Sequence, residues 1–408
     1  MYPELTIVKL FLKQCEWEKH SKYLTPKDFP EELQFVYRVI DNWHKTSETP
    51  TDLSVADLGN LLYTPHPKQQ EFNSSIVETL SKLECNDNVT TELINKVKQG
   101  KVFRELSLIA YDAAEGKAKL EDVEKVVDQL DIKFEEETDA FVEGSLTELI
   151  ERTYKQPGLR WRLKCLNEAL GSLRKGDFGF VFARPETGKT TFLCDQVSYM
   201  AGQAEGPVLW FNNEEQGDKV KLRVYQAALG CDLTQLSVNP QEKEQQFLTQ
   251  TGNRVKILDK ASISKWEVEQ LCKKYKPSLI IFDQIDKITG FKADREDLML
   301  GSIYIWAREL AKQYAPVIAV CQAGGTGENV KYLTMNHVSN AHTAKQAEAD
   351  WILGIGFIHD TGWENIRFLN ISKNKLQGDV DTDPKKRHAK MEVLINPEIA
   401  RYSDFIKS

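Results

Sequence analysis

Two periodicities divide this chain. Up to about residue 130, apolar positions recur at helical spacing: Leu5, Val8, Leu12 and Cys15 share one face, as do Leu33, Val36, Tyr37, Ile40 and Trp43. Pro26, Pro30, Pro50, Pro65 and Pro67 punctuate the helices. Ser54 followed by Asp57 reads as a helix start, the hydroxyl capping a free N–H and the carboxylate lying in the first turn. A longer helix is predicted over residues 91–114, with Leu93, Val97, Phe103, Leu106 and Ala110 as its apolar stripe. Residues 131–143 (DIKFEEETDAFVE) are acidic and aperiodic, which predicts a linker, and 145–154 predicts a short amphipathic helix through Leu146, Leu149 and Ile150. The pattern then changes. Apolar runs of strand length at 178–182, 208–212, 255–258, 278–283 and 317–322 alternate with helical stretches, the signature of a parallel sheet with crossover helices. The predicted organisation is an all-α domain over 1–130, a linker with its helix over 131–157, and an α/β domain over 158–408.

The first of those strands carries chemistry. Residues 178–191 read FGFVFARPETGKTT, a strand, a short loop and the opening of a helix. Backbone N–H groups and the helix N-terminus would converge there on phosphate oxygens, with Lys189 reaching the β and γ phosphates and the Thr190 hydroxyl held to Mg²⁺. The pattern GxxxxGK[ST] wants glycine at 183, where this chain has Ala183, a departure that matters only if the position needs a positive φ. The expected nucleotide cradle is Ala183, Arg184, Pro185, Glu186, Thr187, Gly188, Lys189, Thr190 and Thr191, with ATP and Mg²⁺ as its ligands.

In an open parallel sheet the ligand lies beyond the carboxyl ends of the strands, so the polar residues ending the other strands should converge on it. Glu214 and Glu215 follow the second strand, and a carboxylate at that place can orient and deprotonate the water that attacks a γ-phosphate. Asp283 ends four apolar residues and fits an aspartate that holds Mg²⁺. Gln322 ends the next strand.

Composition narrows the field. The chain has 408 residues, 41% hydrophobic and 28% charged, in keeping with two or three globular domains. No run approaches the roughly 18 apolar residues that span a bilayer, and the opening residues lack a signal peptide's features, so a cytoplasmic location is expected with no membrane partner. The seven cysteines form no CxxC pair and exclude a cysteine-ligated zinc module. A net charge of −8 argues against coating nucleic acid by bulk attraction, so any grip on it must be local.

The loop's wording is more specific than its pattern. Residues 183–191, ARPETGKTT, closely resemble the ARPxxGKTT cradle of DnaB-type replicative helicases, hexameric RecA-core motors of bacteria and phages, in which alanine commonly fills the first position. Leu163, Leu166, Asn167, Leu170, Gly171, Leu173, Gly176 and Asp177 echo the segment that precedes the cradle in that family, and Ala400, Arg401 and Tyr402 resemble its closing SRF string. The resemblance covers about residues 155–405 and points to a phage member. It implies a RecA-like P-loop NTPase fold and a homohexamer that translocates 5′ to 3′ on single-stranded DNA, with the linker helix docked on the neighbouring subunit. Since no primase constellation is visible, it also implies a separate primase and a loader as partners. VLWFNNEE is similar to the family's VLxFSLE and places Glu214 on the catalytic glutamate, while VIAVCQA is similar to VxxLSQL and gives Gln322 the role of γ-phosphate sensor. The family's KxR pair, which acts in trans, is matched by Lys373 and, in place of arginine, Lys375, with Arg367 as a fallback. Its channel-lining loop corresponds to 324–343, a Gly-rich stretch expected to be mobile, with Asn340 about where a basic residue is expected. DNA contact then falls to Lys331, Asn336 and Asn340, or to Lys292 and Arg295 in the loop after Asp283. Two other readings share this core: a RecA- or KaiC-type ATPase for strand exchange or signalling, and a ring that binds nucleotide without hydrolysing it, suggested by Ala183 and Lys375.

Overall fold

The computed structural model describes residues 3–46, 51–63, 67–84, 89–118, 144–153, 157–291, 293, 295–340 and 342–405. Most of the expected linker and Lys292 lie outside the described residues. The chain forms two compact units, residues 1–143 and 144–408. Among the described residues no helix is long and apolar enough to cross a membrane.

In the first unit, helices Pro3–Leu10, Gln14–His20, Glu31–Thr46, Val55–Leu61, Pro67–Lys82 and Thr91–Ala114 enclose a core that includes Ile7, Phe11, Val36, Ile40, Leu58, Ile94 and Val97. Glu31–Thr46 buries Leu33, Val36, Tyr37 and Ile40 on one face, as its spacing predicts, with Trp43 partly buried at the margin. The Ser54 hydroxyl accepts the Asp57 N–H at 3.0 Å, opening Val55–Leu61. The stripe expected along 91–114 needs correction. Its first half packs through Ile94 and Val97, but Phe103 is 53% exposed and Ala110 is also exposed. There the inner face carries charge instead: Lys101 lies 3.4 Å from Asp28, and Arg104 reaches Glu4 at 2.9 Å and the Asp28 carbonyl at 2.8 Å. Long polar side chains take the inward positions that an apolar count gives to phenylalanine.

The second unit is built on a sheet of β1 (Phe178–Ala183), β2 (Val208–Asn212), β3 (Val255–Asp259), β5 (Leu279–Asp283), β7 (Val317–Gln322), β8 (Trp351–Gly356), β9 (Ile366–Asn374), β10 (Lys390–Asn396) and β11 (Arg401–Asp404). Two-residue strands β4 (Ile263–Ser264) and β6 (Ile288–Thr289) pair apart from it. The nine-stranded order is β11-β10-β9-β8-β1-β7-β5-β2-β3. From β8 to β3 all pairings are parallel, whereas β9, β10 and β11 extend the sheet antiparallel, which the alternation of strands and helices did not foretell. Both faces are covered, which is why the central strands are apolar without alternation. Val181, Trp210, Ile281 and Val320 join a cluster with Phe192 of helix Lys189–Gln203; Phe180, Phe182, Ile280 and Phe282 join one with Ile303 and Tyr304 of helix Glu296–Gln313. β1 and β8 approach so closely that a Cβ on Gly179 would stand 2.2 Å from the Trp351 ring. Register aligns the strand ends: Ala183 is opposite Gln322, and Asn212 is opposite Asp283. The polar side chains that end the strands thus share one edge of the sheet. This is a RecA-like α/β fold, with an all-α unit ahead of it.

Candidate nucleotide site

The loop between β1 and helix Lys189–Gln203 turns on two positive-φ residues, Glu186 at 61° and Gly188 at 105°. Gly188 is required twice over, since a Cβ there would also lie 2.7 Å from Ile395 and 2.8 Å from the Tyr402 hydroxyl. Ala183 is a β1 residue paired on both sides, outside the positive-φ positions, so alanine costs nothing there. The loop is braced by side chains from distant elements. Arg367 Nε donates to the Thr187 carbonyl at 2.7 Å, Tyr402 Oη to the Gly188 carbonyl at 3.2 Å, and Arg184 Nη1 to the Ala323 carbonyl at 3.1 Å. Lys189 Nζ turns back onto the carbonyls of Ala183 at 3.4 Å and Arg184 at 3.2 Å, and its burial lowers its pKa. An incoming phosphate would offer that ammonium a better partner than two neutral carbonyls.

A hollow of about 340 Å³ opens over the loop, lined by Lys189, Thr190, Thr191, Glu214, Glu215 and Arg223. The structure separates the two glutamates. Glu215 is occupied: both carboxylate oxygens meet Arg223, with Nη1 at 3.2 Å from Oε1. Glu214 is exposed and receives one hydrogen bond, from Gln284 Nε2 at 2.9 Å, leaving its other oxygen for a water. Asp283 is wholly buried with neither carboxylate oxygen hydrogen-bonded. Burial, then the nearby charges of Glu214 and Glu215, push its pKa up to about 7. A carboxylate in that state calls for a cation, and with the Thr190 hydroxyl at the loop's end the donor set is hard oxygen, which fits Mg²⁺ completed by waters and phosphate oxygens. Two larger hollows, about 590 Å³ and 670 Å³, share Arg174 and Gly158; the second reaches Pro277 and Pro316, at the amino ends of β5 and β7, away from these groups.

The other expected residues fall into place unevenly. Gln322 ends β7 opposite Ala183, half-buried, and its carbonyl accepts the Ser339 N–H at 3.0 Å. Lys373 Nζ donates to the carbonyls of Gln346 and, at 3.2 Å, Ala347; burial, then the neighbouring Lys375, lowers its pKa. Lys375 is exposed, one residue past β9; the register shift in β9 falls ahead of the pair, between Ile371 and Lys373, and the two lysine side chains lie close enough to interact. The fallback Arg367 is corrected outright. It is 7% exposed and spends Nε and Nη1 on its own chain's Thr187, Glu364 and Ile366 carbonyls, so it holds the phosphate loop rather than reaching a neighbour.

The 324–340 stretch is also not the slack loop expected. Leu333 and Val338 are fully buried, Ala323 bridges Val338, and turns form at Gly325–Gly327 and Met335–His337. Lys331 is held by Glu392 at 3.1 Å and lies over the Phe368 ring at 4.7 Å, Arg295 pairs with Asp297 at 2.8 Å, and Asn340 donates to Glu296 at 3.4 Å. Asn336 is exposed. Two residues at the site carry no signal in the motifs, Gln284 and Arg223, and Arg367 is singled out for a different role. The first directly follows Asp283 and is buried, and its place at the end of a run of apolar residues is the one hint the chain offers.

The fold and the site define a P-loop chain of the RecA-like class. The AAA domain family matches residues 151–328. The replicative DNA helicase DnaB of Pasteurella multocida (strain Pm70) is 26% identical over 189 residues, 42% of this chain and 40% of that protein. Two solved structures share the fold: an ATPase domain, at TM-score 0.53 and 16% identity over 65% of this chain and 100% of that one, and a DnaB-like replicative helicase described with its interactions with primase, at TM-score 0.55 and 15% identity over 98% and 100%. The chain is thus similar to the DnaB-type, RecA-core helicases, matching about 40% of the length of the curated relative.

Proposed function

We propose that this chain is an ATP-dependent DNA helicase subunit that assembles as a homohexamer and moves along single-stranded DNA in the 5′ to 3′ direction, unwinding duplex at the fork. What supports the reading above all is the buried Asp283 carboxylate, without a hydrogen-bond partner, at the end of β5 within the electrostatic reach of Lys189 and Glu214, which line the hollow over the loop with Thr190. Lys189 would leave its loop carbonyls for the β and γ phosphates, and Thr190 and Asp283 would hold Mg²⁺. Such an ion would supply charge neutralisation at the phosphates. Glu214, with one oxygen engaged by Gln284, orients the attacking water and takes its proton. Arg184, Pro185, Glu186, Thr187, Gly188 and Thr191 complete the cradle, and Ala183 fixes its start in β1.

Gln322 senses the γ-phosphate, and Lys373 with Lys375 serves an adjacent subunit's site; Lys373 must exchange its own carbonyl partners to do so. DNA is held by Asn336 and Asn340, with Lys331, Arg295 and Lys292 as the basic groups near the two loops. Residues 1–130 form the assembly and partner domain, 131–157 the linker with its helix and 158–408 the motor. A separate primase and a loader act with the ring in the cytoplasm.

The test is ATP turnover with and without single-stranded DNA in Lys189→Ala and Glu214→Gln. DNA-stimulated turnover in the wild type, lost by a factor of about 100 or more in both variants, is expected. Undiminished turnover in both overturns the reading.

A further inference from the structure

Lys345 is 0% exposed, and nothing in the nucleotide chemistry above uses it. A buried ammonium is costly unless it is fully paired, and this one is. Its Nζ lies 2.6 Å from Asp286 Oδ2 and 3.0 Å from the Ser339 carbonyl, and sits over the Tyr304 ring at 5.3 Å. Tyr304 Oη in turn donates to Asp286 Oδ1 at 3.2 Å.

Each partner leads toward the nucleotide site from a different side. Asp286 sits in the tight turn just after β5; that turn begins at Gln284, at φ 74°, and is closed by the Lys287 N–H on the Gln284 carbonyl at 3.2 Å. Gln284 is the residue that holds Glu214, at 2.9 Å, and its carbonyl accepts from Asn213 Nδ2 at 3.1 Å. Ser339 belongs to the 324–340 stretch, and its N–H is bonded to the carbonyl of Gln322 at 3.0 Å. Lys345 is therefore the joint between the turn that aims Glu214 and the loop that leaves Gln322.

We propose that Lys345 is a positioning residue for Glu214: through Asp286 it fixes the turn carrying Gln284, and through Ser339 it makes that turn answer to a polyanionic single strand on the 324–340 loop. Displacement of the loop moves the Ser339 carbonyl, shifts the ammonium against Asp286 and alters the Gln284 grip on Glu214. The inference rests on the ATPase reading above.

The experiment uses the full chain and oligothymidylate as the strand. Wild type, Lys345→Met, and Lys345→Met with Asp286→Asn are compared for basal and oligothymidylate-stimulated ATP turnover, for KM against kcat, and for amide exchange of residues 324–340 with a non-hydrolysable ATP analogue. Removing both charges restores stability lost with one, because no lone buried charge remains, but it does not restore the joint. The expected result is a lowered basal kcat at unchanged KM for ATP, because Glu214 is less well aimed, a further reduction of about tenfold in oligothymidylate stimulation in both variants, and loss of the analogue's effect on exchange. Full stimulation or a wild-type exchange response in the doubly changed protein overturns the inference, even if Lys345→Met alone does not fold. A wild type without any ATP turnover sinks the enzyme reading instead, while the exchange response to the analogue still decides for or against the joint.

Discussion

Asp283 is the residue at which folding and function pull in opposite directions. Its carboxyl, pushed up to about 7 by burial and by Glu214 and Glu215, binds a proton more tightly folded than unfolded. Its contribution is therefore fully favourable below the unfolded value of 3.8 and is lost as the pH rises through about 7. At about 1.4 kcal/mol per unit, the loss by pH 8 approaches, as an upper bound, about 4 kcal/mol. Asp283→Asn should accordingly raise the melting temperature of the nucleotide-free protein at pH 8, with a rise less than half as large at pH 5, while abolishing hydrolysis; an equal effect at both pH values would contradict this. The residue was readable as a metal-binding candidate from an apolar run ending in a carboxylate. Its partner Gln284 was not, because a glutamine one step further on looks like any polar residue in a loop until the left-handed turn aims it back at Glu214. The same holds for Arg223, whose bidentate grip on Glu215 decides which glutamate is free.

At the scale of elements, the ends of β2, β5 and β7 were legible because each closes an unbroken apolar run, the pattern of strands covered on both faces. The antiparallel edge was hidden. β9 and β10 mix polar and apolar residues, β11 is short, and their value to the site lies in single side chains, Arg367 of β9 and Tyr402 of β11, that reach the phosphate loop. Arg367→Ala should remove a buried charged hydrogen bond to Thr187 and destabilise by about 2 kcal/mol, with a matching rise in the Kd for nucleotide; calorimetric titration with ADP checks the second part. Gly188→Ala should be more severe, since its Cβ would meet both Ile395 and Tyr402 at a positive φ, and the variant is expected to lose nucleotide binding while retaining its far-UV circular dichroism. In the helical unit, periodicity located the helices but misjudged the second half of Thr91–Ala114, where Lys101 and Arg104 do the fastening. Lys101→Met combined with Arg104→Met is expected to lower the melting temperature of that unit, as followed by helical ellipticity, even though both changes increase hydrophobicity.

For the whole molecule, a chain of net charge −8 cannot rely on its overall field to hold a nucleic acid. If strand binding is local, the logarithm of affinity for oligothymidylate should fall with the logarithm of salt at about −0.7 per phosphate contacted, a slope reporting only the few groups each protomer presents. Filter binding from low to high salt measures it, and a slope of zero would remove the polyanion from the account. Charge balance was visible in the composition, whereas the folding of Lys331 against Glu392 and aromatic rings, and of Lys373 against its own carbonyls, could only emerge in three dimensions.

The hydroxyl of Tyr402 on the Gly188 carbonyl has a bearing on how the protein comes into being. Glycine and tyrosine there are separated by 214 positions, so translation delivers the first long before the second. A ribosome halted just short of the tyrosine would release a polypeptide whose phosphate loop keeps its braces at Thr187 and Arg184 but lacks the one at Gly188, the last to be delivered.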